Sequence, residues 1–176
     1  MHIILGLIGI ATAAYFLFIR ARNAAHVASD VTDMARDVRA AARRFGFRRQ
    51  TNIHPVETIE DPNLAIAALG TAFVEMDDLP TREQRDALNA ALRDQLQMSA
   101  TDADEALILG HWFVSECHGP ETAVPRLSRK LYKLDGQNSF EPLLSVVSAT
   151  AQASNGDLNA KQREALDEIR RAFRIK

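Results

Sequence analysis

Met76-Asp77-Asp78-Leu79-Pro80-Thr81-Arg82-Glu83-Gln84-Arg85-Asp86-Ala87-Leu88 and Ser154-Asn155-Gly156-Asp157-Leu158-Asn159-Ala160-Lys161-Gln162-Arg163-Glu164-Ala165-Leu166 repeat one pattern. In each, a polar turn precedes a residue that caps a helix, with Gln three places on. Thr81 with Gln84, and Asn159 with Gln162, have capping-box spacing: the cap side chain accepts from the third backbone N–H while Gln reaches back to the cap's own N–H. Arg85, Ala87 and Leu88 recur as Arg163, Ala165 and Leu166. The acidic turns differ by one residue, so the units resemble each other without strict symmetry. Each unit is an apolar helix, a turn, then a capped amphipathic helix. Two such pairs packed together bury both apolar faces in a bundle with an internal pseudo-twofold repeat.

Outward from the repeat, apolar residues keep helical spacing: Leu64, Ala68, Leu69, Ala72 and Phe73; Leu88, Ala91, Leu92 and Leu96; Leu107, Ile108, Trp112 and Phe113. The pattern continues at Leu127, Leu131 and Leu134, at Leu143, Leu144, Val147 and Ala151, and at Leu166, Ile169 and Phe173. No run of alternating β-branched residues competes with it. Punctuation agrees: Asp61 caps a helix with Pro62 in its first turn, Thr101 and Ser139 are further caps, Gly136 is a stop, and Asn155-Gly156 makes a left-handed turn. The reading is all-α, with six helices in the domain from 62 to 176.

Residues 1–20 read as a transmembrane anchor. The run from Ile3 to Ile19 is uncharged and closes at Arg20 and Arg22, with Tyr15, Phe16 and Phe18 at that end. At helical rise it covers roughly 25 Å, slightly less than a hydrocarbon core. A cleaved signal peptide would need a positive segment before the run and a small-residue cleavage site after it. With no Lys or Arg before the run and Arg20, Arg22 and Arg36 after it, the positive-inside rule puts the N-terminus outside and the C-terminal domain in the cytoplasm of a bacterial-type inner membrane.

A basic stalk, 21–49, follows. From Arg20 to Arg49 there are eight Arg against Asp30, Asp33 and Asp37, a balance of +5; with −2 for the whole chain, the rest stands at −7. The stalk suits anionic lipid headgroups, while the acidic body lacks the basic face that nucleic-acid binding requires. Ala24, Val27, Val31, Met34, Val38, Ala41 and Phe45 form a heptad seam. It fits either a parallel homodimer through the stalk or a stalk packed on its own domain or along the lipid surface. Residues 50–61 read as a linker containing Pro55. A lone cysteine, Cys117, rules out an intramolecular disulfide.

One cluster tempts an enzymatic reading: His111-Trp112-Phe113-Val114-Ser115-Glu116-Cys117-His118. On a helix Cys117 and His118 point about 100° apart, so thiol and imidazole do not meet. The expectation is a core helix with Trp112 and Phe113 buried, ending at His118-Gly119-Pro120. There is no Gly-rich phosphate loop, Gly-x-Ser-x-Gly, His-Glu-x-x-His or Cys-x-x-Cys, and no catalytic or cofactor-binding residue is assigned. His2, His26 and His54 are isolated.

The repeated unit, with Ala149-Thr150-Ala151-Gln152-Ala153-Ser154-Asn155-Gly156-Asp157-Leu158 at the turn, resembles the TerB-like family of tellurite-resistance domains. The resemblance runs from about Asn63 to Lys176. A related domain stands behind a membrane anchor in a DnaJ-type co-chaperone; no His-Pro-Asp-bearing J domain occurs here, so any co-chaperone role it implies is indirect. It also implies a non-enzymatic interaction module in tellurite, metal or envelope stress. The family's acidic turns suggest divalent-metal binding, for which the matching positions are Asp77, Asp78 and Glu83 in the first turn and Asn155 and Asp157 in the second. Lys161 beside the second turn disfavours a cation. The alternative function is a metal-binding sensor built on those turns.

Overall fold

The computed structural model describes residues 36–47, 52–77, 80–153 and 156–175. The chain divides into Met1–Asp37 and Val38–Lys176, and the fold below is that of the second unit. Among the described residues it is all-α, with no strand. Residues 38–44 are the part of helix α1 within this unit; α2 (Pro62–Glu75), α3 (Arg82–Leu96), α4 (Ala100–Glu116), α5 (Pro120–Asp135), α6 (Phe140–Gln152) and α7 (Ala160–Ala172) follow. Short 3-10 turns occupy Pro55–Thr58 and Gly136–Ser139.

The centre of the bundle is α2. Every residue from Leu64 to Val74 is buried. No charge stands between Asn63 and Glu75, and a helix apolar on all sides is stable only when surrounded. α4, α5 and α6 surround it, α3 packs on α6, and α7 packs on α5. The α2–α4 crossing is close because Gly110 has no side chain: a Cβ there would lie 2.6 Å from Thr71 Oγ1 and 3.2 Å from Ala68 Cα.

The expected caps hold at four helix ends and differ in detail at two. Asp61 Oδ1 accepts from the Asn63 N–H at 2.9 Å, both capping boxes form, and Gly136 ends α5 with φ +62°. Gly156 is left-handed at φ +80°; Asn155 lies outside the described residues. Ser99, not Thr101, caps α4, because its hydroxyl is placed to accept from the Asp102 N–H at 3.1 Å while Thr101 is already in the first turn. Ser139 precedes α6 as expected, but its hydroxyl donates to Asp135 Oδ2 at 2.9 Å and caps no helical N–H.

The buried stripe of α4 also shifts. Ala103, Ala106, Leu109, Gly110, Phe113 and Val114 face the core, whereas Leu107, Ile108 and Trp112 are half-buried. Small residues, which hydropathy ranks low, are what allow the close approach to α2.

The packed unit reaches further toward the N-terminus than residue 62. Ala41, Val56 and Ile59 are fully buried, and Val38, Ala42, Phe45 and Phe47 pack against the same core. Three seam positions, Val38, Ala41 and Phe45, therefore face their own domain. The other seam residues before Val38, and the run Ile3–Ile19, lie outside the described residues. Among those described, no helix is long and apolar enough to cross a membrane.

Candidate interaction surfaces

The second capping box ties α7 to the end of α2, and the first ties α3 to Asp77 in the turn after it. Asn159 Oδ1 accepts from the Gln162 N–H at 2.8 Å, and Gln162 Oε1 accepts from the Asn159 N–H at 3.1 Å. The amide groups left over then donate outward: Asn159 Nδ2 to the Met76 carbonyl at 3.1 Å and Gln162 Nε2 to the Phe73 carbonyl at 3.4 Å. Those carbonyls end α2 and have no helical partner of their own. The N-terminus of α7 thus caps the C-terminus of α2. In the first repeat Gln84 Nε2 donates to Asp77 Oδ2 at 2.9 Å. Only Gln serves both sides of such a box, because Glu has no donor. Gln at both positions was the sequence signal for this link.

Three of the five metal-candidate residues are described. Asp77 is engaged with Gln84, while Glu83 and Asp157 are exposed. Asp78 and Asn155 lie outside the described residues. Among the described residues, no three His, Cys, Asp or Glu side chains come together in a manner suited to a metal ion.

The His111–His118 segment is itself divided. Phe113 and Cys117 are buried, α4 ends at Glu116, and His118 (φ +64°) and Gly119 (φ +120°) reverse the chain into Pro120. Burial pushes the Cys117 thiol above its ordinary range, with Arg126 opposing and Glu116 and Glu57 reinforcing the shift. A thiol held protonated is a poor nucleophile. His111 turns to α2 instead, its Nδ1 lying 2.6 Å from Glu75 Oε1. That hydrogen bond holds the His111 pKa above the usual 6.5, against a smaller opposing effect of burial.

Two surfaces have the form of contact sites. Between α5 and α7 runs a groove of about 340 Å³ with Met76, Val124, Pro125 and Ala165 in its lining, and Glu121, Lys161, Glu164, Glu168 and Arg171 around them. Lys161 Nζ pairs with Glu121 at 3.2 Å and Arg171 with Glu168 at 3.0 Å. Pro125 lies within α5 and leaves the Glu121 carbonyl without its helical donor. Apolar lining with a charged margin is the anatomy of a protein contact.

The second surface is the strap formed by α1 and the residues after it. Phe47 sits edge-on to Trp112 and Phe113, with ring centroids 5.5 and 5.2 Å away. Arg44 Nε bonds Asp102 Oδ1 and lies 3.5 Å from Glu105. The Asp102 carboxyl is held below its ordinary value by the Ser99 hydroxyl first and by Arg44 second. Further along, His54 Nδ1 accepts from the Val56 N–H at 3.3 Å, and the mostly buried Lys130 donates to the Glu57 carbonyl at 2.8 Å. His54, isolated in sequence, caps the 3-10 turn that this lysine pins to α5.

Comparison with family models, with curated proteins and with solved structures returned no match to this chain.

Proposed function

We propose that this chain is a membrane-tethered, non-enzymatic interaction module: a TerB-like helical bundle held on the cytoplasmic side of a bacterial inner membrane by a single N-terminal span. One observation carries the reading, the uncharged run Ile3–Ile19 closed by Arg20 and Arg22 and followed by a packed helical domain. Confinement to a bilayer raises the concentration of such a module toward membrane partners without any new contact. The groove between α5 and α7 supplies a surface for a protein partner.

The paired capping boxes support the pseudo-twofold reading of the bundle. Its two halves are used unequally, since α3 packs on α6 while α7 packs on α5 and meets α2 through its first turn. The stress context, tellurite or other metal or envelope stress, with an indirect co-chaperone connection, rests on the family resemblance alone. Membrane fractions washed with alkaline carbonate test the tether: the intact chain is expected in the pellet and a chain lacking residues 3–19 in the supernatant. Recovery of the intact chain in the supernatant would refute it. Calorimetry with Ca²⁺, Mg²⁺ and Zn²⁺ separates the metal-sensor alternative, for which heat lost in the Asp77→Ala/Asp78→Ala chain would be required.

A further inference from the structure

The strap carries two kinds of arginine. Arg44 is committed to Asp102 and Glu105 on α4. Arg39 and Arg43, four residues apart on one face of α1, are exposed and make no ion pair among the described residues. The opposite side of the helix, Val38, Ala41, Ala42 and Phe45, is packed into the core. The bundle therefore fixes which way the arginine face points. We propose that Arg39 and Arg43 form a docking face for anionic phospholipid headgroups, so that the domain lies against the bilayer by its α1 side.

The argument rests on the tethered reading above and on charge. The part of the chain outside residues 20–49 carries −7 and is repelled by an anionic surface, whereas α1 belongs to the +5 stretch. Arg39 lies twenty residues after Ile19, the last residue of the apolar run. Basic side chains beside a membrane attract anionic headgroups at about 1 kcal/mol each, so removing both arginines should lower the docked-to-undocked ratio roughly thirtyfold.

The test uses the full chain in nanodiscs of phosphatidylcholine with and without phosphatidylglycerol. An environment-sensitive fluorophore is placed at the exposed Ala40 by Ala40→Cys, in a Cys117→Ala background that leaves one thiol. The expected result is a blue shift of emission only in the anionic discs, reversed by high salt and absent in Arg39→Gln/Arg43→Gln. Equal emission in both lipids, or a shift that survives the double substitution, would overturn the proposal while leaving the tether intact. Loss of the chain from membranes on alkaline washing would instead count against the tether. Docking is then decided by flotation of the unwashed chain: retention on phosphatidylglycerol vesicles that needs Arg39 and Arg43 supports it, and no retention overturns it.

Discussion

At the scale of single residues, the fold depends on side chains whose chemistry has no close substitute. Gln162 is almost fully buried, accepting from Asn159 and donating to Phe73. Gln162→Glu keeps the acceptor and turns the donor into a second acceptor facing a carbonyl. The expected loss is about 2–3 kcal/mol in chemical denaturation, more than for Glu164→Gln on the exposed side of the same turn. At Gly110 an added Cβ meets the Ala68 backbone, which cannot yield, whereas at Gly70 its nearest neighbour is the far end of Leu88, at 2.6 Å. Gly110→Ala should therefore cost about 1–3 kcal/mol and Gly70→Ala less, read from the two denaturation midpoints.

The His111–Glu75 pair gives a pH signature. Because the folded-state pKa of His111 is raised, its stabilising contribution is complete below the unfolded value of 6.5 and is lost as pH climbs through the higher folded value. NMR titration should place His111 above 6.5 and return it toward that value in Glu75→Gln. The difference in melting temperature between the two chains should shrink from mildly acidic to mildly alkaline pH. The side chain is 61% exposed, so the effect is small.

At the scale of elements, the strap is the part whose role sequence reading left open, between a dimer seam and a stalk packed on its own domain or along the lipid surface. Capping boxes and helix stops were legible at Thr81, Asn159, Asp61 and Gly136 because a cap depends on three or four neighbouring residues. The burial of Val56 and Ile59, and of Ala41 on α1, depends on partners in distant segments, and Pro55 with polar neighbours gave 50–61 the look of a linker. The centrality of α2 had a usable signal, eleven consecutive buried positions without a charge, which a one-face reading of its periodicity passes over. Among the metal candidates, the sequence showed carboxylates at turns but not that Asp77 would be engaged by Gln84. Phe47→Ala should red-shift the Trp112 emission and lower stability by about 1–2 kcal/mol, less than for a fully buried ring. A chain starting at Pro62 should unfold without a cooperative transition, whereas one starting at Val38 should retain it; cooperative melting of both would remove the strap from the core.

At the scale of the whole molecule, charge and hydropathy are arranged in sequence order: an uncharged run, a stretch at +5, then a body whose buried helix is surrounded by its neighbours. Such an order suits a domain that works beside a membrane, with its arginines near the lipid and its acidic remainder turned to the cytoplasm. That arrangement stands or falls on which side of the membrane the domain lies. The most direct measurement fuses alkaline phosphatase and, separately, a fluorescent protein to Lys176 and reads both in bacterial membrane fractions. Fluorescence without phosphatase activity is the predicted result, and phosphatase activity without fluorescence would put the bundle on the opposite side of the membrane.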